Sequence, residues 1–323
     1  MIIDEQILRE YYDSKVAELG RKFAAERRNR IHLNLKLALI LLVSAAAGLG
    51  ISCLGDSDIT QIFKIVGLVL LGLGVIAPIV LYHTAASQAR QVLKNAVTGK
   101  MVQAIDPGLK YDSQGAVRQG KFEDSKIFLS TPNRYHGEDL VCGSFGGIRM
   151  EFSEIDAKVE QRSSKGATTQ IQIFKGVFMI IDCNKFFKHT TVVVPDAAEG
   201  LMGQLLGNFL QNMNMMRSGS LMRMENVDFE KKFVVYADDK VEACYLLTPN
   251  IMEIMCELQV RYPKIAFSFR HNSLYVAIPR SQNLFEYPAE LSFEAFAKVY
   301  FQIVEFISFI PKLGLDVRIW SKK

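Results

Sequence analysis

LALILLVSAAAGLGISCL (residues 37–54) and IVGLVLLGLGVIAPIVLY (residues 65–82) each hold eighteen residues without a charge. As a helix, either run rises about 27 Å, close to a hydrocarbon core of roughly 30 Å. Only helices and closed barrels satisfy their own backbone in lipid, and unbroken apolar runs are not barrel strands. Pro78 sits near the end of the second run, where a kink is tolerated. The expectation is a hairpin of two transmembrane helices, with Lys36 and Lys64 snorkelling at its edges.

The flanks orient the hairpin. Arg21, Lys22, Arg27, Arg28, Arg30 and Lys36 precede the first run; Arg90, Lys94 and Lys100 follow the second. The connector, residues 55–64, carries Asp56, Asp58 and only Lys64 as a base. Excess Lys and Arg mark cytoplasmic flanks, so both termini are expected in the cytoplasm and the connector outside. A cleaved signal peptide fits poorly, because some three dozen residues precede the first run.

Further out, Leu8, Tyr12, Val16, Leu19 and Phe23 recur at helical spacing, as do Ala89, Leu93, Val97 and Met101. These stripes suit a stalk in which the two helices continue out of the membrane and pack on each other. Asp106-Pro107-Gly108 ends the second helix. The expected division is 1–105 for the hairpin and stalk, 106–217 for a first α+β subdomain and 218–323 for a second.

Beyond residue 106 the class reads as α+β. Ile148, Met150 and Phe152 alternate, and Ile155, Ala157 and Val159 alternate in the opposite phase, which suggests a β-bulge in that strand. Strands are expected at 171–181, interrupted by Lys175-Gly176, and at 190–194, with a turn at Ser163-Ser164-Lys165-Gly166 between the first two. Asp196 and Glu199 resemble a capping box opening a helix, with Gly200, Gly203 and Gly207 on one of its faces. Residues 229–236 and 241–246 read as strands. Thr248-Pro249 opens a helix with Ile251, Ile254, Met255 and Leu258 inward. Arg270-His271-Asn272-Ser273 reads as a hairpin turn. Ser292 opens a last helix with Phe296, Tyr300, Ile303 and Ile307 inward.

The blocks HGEDLVCGSFGG (136–147), FSEIDAKVE (152–160), IFKGVFMIIDCNKFFKHTTVVVPD (173–196), VVYADDKVEACYLLTPNIMEIM (234–255) and IAFSFRHNSLYVAIP (265–279) resemble an uncharacterised family of bacterial membrane proteins. Two N-terminal spans and a cytoplasmic domain of unknown function characterise that family, and the likeness covers most of residues 120–285. It implies a multi-pass protein of the bacterial inner membrane. It brings no catalytic residues.

Composition excludes several chemistries. Five cysteines lie scattered without a CxxC pair, and the five histidines form no HExxH, so neither zinc spacing nor a disulfide framework is present. A net charge of +4 is mild for 323 residues, and the basic stretch at 21–30 reads as headgroup contact rather than nucleic-acid binding. Gly143, Gly146 and Gly147 lack the GK[ST] of a P-loop and read as a turn needing positive φ. Asp238 and Asp239 offer carboxylates to a divalent cation but read more simply as turn residues. His136, near Glu138 and Asp139, has no nucleophile signature beside it. Met213 and Met216 belong to a methionine-rich stretch, a composition that adapts to protein partners.

No cofactor, metal or catalytic constellation is expected. The leading reading is a membrane-anchored binding module (scaffold or sensor) that meets the bilayer and a cytoplasmic protein partner. Small residues in the spans (Gly48, Ser52, Gly67, Gly72) also permit a homo-oligomer. The alternatives are a lipid- or headgroup-reading, PH-like module and, third, an enzyme with an unrecognised site using Asp238, Asp239 or His136.

Overall fold

The structure, a computed structural model, describes residues 5–52, 58–162, 168–196, 220–288 and 291–314. Two compact units emerge: Met1–Val97 with Tyr287–Lys298, and Thr98–Glu286 with Val299–Lys323.

In the first unit, helix α1 (Glu5–Tyr11), a π-helical turn (Tyr12–Val16) and helix α2 (Ala17–Ser52) follow without a break. Leu8 and Val16 of the expected stripe are buried, while Tyr12, Leu19 and Phe23 are half-buried. Among the described residues, one helix is long and apolar enough to cross a membrane, Glu5–Ala47, and only 6% of its most apolar window is buried. Helix α3 (Asp58–Ile105) contains the second apolar run. It begins inside the stretch expected to be a connecting loop, so that loop is shorter than the sequence suggests. Leu93, Val97, Met101 and Ile105 are buried along its last turns, before the chain turns at Asp106.

The second unit is mixed α+β, built on an antiparallel sheet. Its strands are β1 (Leu109–Asp112), β2 (Arg134–Phe145), β3 (Ile148–Arg162), β4 (Thr168–Pro195), β5 (Ser220–Met222), β6 (Phe233–Ala237) and β7 (Ala266–Pro279). The order is β1-β2-β3-β4-β6-β5, and β7 pairs along β4. Strand β4 uses both edges. On one edge it pairs first with β3 and then, from Thr191, with β6; on the other it pairs with β7. Strands from both sides of residue 217 therefore share one sheet.

The phase change in β3 has a different cause from the expected bulge. Register with β4 runs one-to-one from Met150↔Ile181 to Ala157↔Phe174. No residue is inserted in β3; the cover changes sides. Ile148, Met150 and Phe152 share one face, where Phe152 meets Phe285 and Phe306. Ile155 and Ala157 lie on the other, in a cluster with Phe122, Phe128, Phe174 and Phe178. The register shifts fall on the neighbours, at Glu138/Val141 in β2 and opposite Ala157/Lys158 in β4.

Three further expectations change. Residues 241–246 form helix, α6 (Lys240–Leu246), because Asp239 caps it by accepting from Glu242 N at 2.7 Å. Residues 227–230 form a single turn, α5 (Val227–Glu230), capped by Asn226, so the strand starts only at Phe233. Residues 270–273 make no hairpin. Strand β7 runs through them against β4, which places four residues between Asp182 and Phe187 where β7 places one. His271 (φ 55°) and Asn184 (φ 52°) take up the mismatch.

Helix α4 (Gln119–Asp124) brings Phe122 into the cluster beside Ile155. Helix α7 (Pro249–Arg261) starts as expected, with Thr248 Oγ1 accepting from Ile251 N and Pro249 in the first turn. Helix α8 (Phe293–Ile307) starts at Ser292, whose Oγ accepts from Ala295 N at 3.2 Å, and Phe296, Tyr300, Ile303 and Ile307 are buried as expected. Helix α9 (Phe309–Lys312) ends the described chain. The expected turn at 163–166 and the helix bearing Gly200, Gly203 and Gly207 lie outside the described residues.

Candidate functional site

The sequence candidates resolve into structural roles first. Gly146 (φ 56°) and Gly147 (φ 84°) make the two-residue turn between β2 and β3, the pair of positive φ values that a tight hairpin turn demands. Gly143 stands where β1 crosses: a Cβ there would lie 2.1 Å from Gly108 O. Asp238 Oδ2 accepts from Thr190 N at 3.1 Å, and Asp239 is the cap of α6. Both aspartates serve backbone donors, as turn residues do. His136 is exposed on β2 and pairs across the ladder with Asp156. Met213 and Met216 lie outside the described residues. Burial raises the thiol pKa of Cys183, and burial followed by the Glu151 charge raises that of Cys142, which makes both poor nucleophiles.

A constellation that the sequence did not announce lies in the second unit. Carboxylate oxygens of Glu138, Asp139 and Glu154 come within 4.8 Å of one another. The β2 shift assembles it. Glu138 faces Glu154 and Val141 faces Phe152, so Asp139 and Leu140 share a single partner position, and a bulge of this kind re-aims a side chain. Asp139, at φ 61°, is fully buried. Its Oδ1 accepts from Tyr111 Oη at 2.5 Å. Glu154 Oε2 accepts from Leu284 N at 2.7 Å, and Asn283 Nδ2 reaches Glu138 Oε1 at 3.5 Å. Burial is the main cause lifting the Glu154 carboxyl above its ordinary value, with the charges of Glu138 and Asp139 adding to it and the Leu284 N–H opposing. Oxygen donors of this kind suit a hard cation, yet Glu154 and Asp139 already serve donors of the chain. As built, the cluster ties residues 283 and 284 to the sheet.

One signal for it stood in the sequence. Glu154 is in phase with Ile148, Met150 and Phe152, so strand alternation alone directs a carboxylate to an inward face. Tyr111 carried no such signal.

The first unit holds a different feature, a groove of about 870 Å³ along α2. Ala17, Gly20 and Ala24 give it a floor of small residues, Arg21 and Arg28 line it one above the other, and Ile31 closes the end nearest the apolar run. At the other end are Tyr12 and Asp13. Tyr12 Oη donates to Leu291 O at 2.7 Å, and its ring packs on Phe293 and Phe296. Leu291 approaches so closely that a Cβ on Gly20 would meet its Cβ at 3.2 Å. The π-helical turn aims Tyr12 at this segment, a placement π-bulges often have beside functional sites. Sequence spacing showed the helix but not the groove, because residues 287–298 join it from far along the chain.

Comparison with known proteins adds a domain description. The model of a family described as "Protein of unknown function (DUF3137)" matches residues 172–315. That stretch begins in β4 and takes in β5, β6 and β7 and helices α5 to α9, leaving β1, β2 and β3 before it. No curated protein matches the chain. The crystal structure of the mycobacterial trehalose monomycolate transport factor A, TtfA, superposes with a TM-score of 0.37 and 10% identity, over 67% of this chain and 94% of that one. A likeness that distant carries no argument about this chain.

Proposed function

We propose that this protein is a membrane-anchored binding module, a scaffold or sensor that holds its α+β unit on the cytoplasmic face of a bacterial inner membrane. One observation carries the reading. Along α2, among the described residues, most of the large apolar side chains are largely uncovered: Leu39 is 63% exposed, Ile40 61% and Val43 61%. Leaving such a side chain in water instead of an apolar medium costs about 1.5–3 kcal/mol. Lipid supplies the missing cover. The same argument extends to α3, where Ile65, Leu68 and Ile76 are exposed, and makes the anchor a two-span hairpin. The basic flanks set both termini inside.

The binding half of the proposal rests on what the α+β unit offers. Its candidate acids and histidine serve structural hydrogen bonds or face solvent, which favours a protein surface over a reaction centre. A soluble partner and a second copy of the chain are both suitable occupants.

Membranes from cells producing the full chain test the anchor. The protein is expected to stay in the pellet after alkaline carbonate and to need detergent for release. Recovery in the carbonate supernatant would overturn the reading.

A further inference from the structure

The groove in the first unit has the spacing of a seat for another helix. Ala17, Gly20, Ala24 and Ile31 line it at intervals of three, four and seven along α2, the heptad period at which one helix receives another. From Ala17 to Ile31 the axis rises about 21 Å. The first three carry nothing beyond Cβ and so leave room above the backbone, while Leu291 stands over Gly20 as a side wall. An amphipathic helix laid into a groove of this kind is a recurring mode of protein recognition.

Charge selects the occupant. Arg21 and Arg28 flank the seam one heptad apart, about 10.5 Å along the axis. Neither forms a salt bridge with a described residue; the nearby Glu18 is paired with Lys22 instead. Asp13 stands at the end away from Ile31. The complement is a helix with two acids one heptad apart and a base beyond them, the flanking pattern by which paired helices choose partners. The chain's own second apolar helix does not supply it: residues 59–105 contain no Asp or Glu, only the bases Lys64, Arg90, Lys94 and Lys100. A second copy does not supply it either. Copies in one bilayer run parallel, which sets Arg21 level with Arg21, and like charges at facing positions destabilise a helix pair.

The level of the groove fits a partner that comes from water. Exposed Leu33, Leu35, Leu37 and Leu39 follow it along α2. Arg28 is about 7.5 Å of rise from Leu33, and Arg21 about 18 Å. A headgroup layer is roughly 5–7 Å thick, so the arginine pair stands clear of it.

We infer that this groove docks an acidic amphipathic helix of a water-soluble partner protein, with acids of that helix on Arg21 and Arg28 and its apolar face along Ala17, Ala24 and Ile31. The inference rests on the binding reading proposed above and adds to it a surface in the anchor unit and the chemistry of the partner.

The test uses the full chain in nanodiscs of dioleoyl phosphatidylcholine and a fluorescein-labelled peptide of three heptads, about 31 Å as a helix, read by anisotropy. The peptide holds Ala and Leu on one face, one Glu in each heptad and Lys at both ends; a control carries Lys in place of each Glu. The Glu peptide is expected to saturate the protein and to bind about tenfold tighter than the Lys peptide. Arg21→Glu/Arg28→Glu is expected to reverse that order. Ala24→Leu keeps every charge but fills the seam, and is expected to weaken the Glu peptide about tenfold, with circular dichroism confirming unchanged helicity. Absence of saturable binding by the Glu peptide would overturn the inference. So would equally strong binding to empty nanodiscs, which makes lipid the receptor, or binding undiminished in Ala24→Leu, which makes the basic surface alone the site. An order of the two peptides unchanged by the double charge reversal would overturn it as well. Carbonate extraction of the same proteins separates the two readings. A protein that stays in the pellet but binds no peptide defeats only the groove, whereas an extractable one defeats the anchor.

Discussion

Glu154 is held by two opposing demands. Strand alternation turns its side chain to the face that buries Phe152, and the bulge in β2 brings Glu138 and Asp139 to meet it. The Leu284 N–H bond at 2.7 Å and the Lys175 charge favour the ionised carboxylate; burial, the largest influence, and the neighbouring acids favour the neutral one. The folded-state pKa is therefore raised above 4.5, the ordinary value. A raised carboxyl contributes stability that is full below its unfolded pKa and is lost as pH rises through the folded value. Glu154→Gln keeps an acceptor for Leu284 N and removes the titration. Thermal unfolding in detergent is expected to show the variant gaining on the unmodified protein as pH rises above about 4.5, the region where an unfolded glutamate ionises. Parallel pH profiles would remove Glu154 as the titrating group. The three acids were half legible in the sequence: parity pointed Glu154 inward, but nothing local showed that Asp139 would adopt φ 61° or that Tyr111 would meet it. Those depend on pairing between strands far apart in sequence.

At the scale of elements, legibility followed the range of the controlling interaction. Caps act within one turn, so the helix starts at Thr248 and Ser292 were readable and are observed. Asp239 followed by Glu242 was an equally local signal at the start of α6. The β-branched and aromatic content of 241–246 points instead to a strand, yet Val241 and Tyr245 prove exposed while Ala243 and Leu246 are buried at helical spacing. The long β4/β7 ribbon was not readable as one piece. Its polar stretch at 270–273 suggests a turn, yet ladder pairing on both sides carries the strand through. Gly176 shows what holds the ribbon close. It adopts φ 149°, and a Cβ there would lie 2.2 Å from Ile278 O and 2.6 Å from Arg280 N. Backbone on both counts leaves no flexible side chain to move aside. Gly176→Ala is expected to destabilise the sheet by about 3 kcal/mol, a large effect for one methyl, lowering Tm by roughly 6–12 °C. An unchanged Tm would mean that β7 can shift away from β4 without loss.

For the whole molecule, the proposed anchor raises the question of which side of the bilayer the α+β unit would occupy, and a native side chain can report it. Cys244 is exposed on α6, whereas Cys183 is buried. A variant keeping Cys244 as its sole cysteine carries a reporter in the α+β unit, and Ser57→Cys in a cysteine-free background carries one in the connector. The charge asymmetry argues the outcome: six Lys or Arg between residues 21 and 36, and three between 90 and 100, flank the two apolar runs, and the stretch joining them has Lys64 as its only base. Moving either flank outward would carry several cations across the hydrocarbon, each at about 2.5–3.5 kcal/mol on insertion scales. A membrane-impermeant maleimide applied to spheroplasts is therefore expected to label the connector cysteine and spare Cys244, which reacts once the membrane is broken. Labelling of Cys244 in intact spheroplasts would place the α+β unit outside. Labelling of neither cysteine before lysis would mean that the second apolar run does not return across the membrane from an external connector, which leaves the exposed faces of α3 needing cover other than lipid.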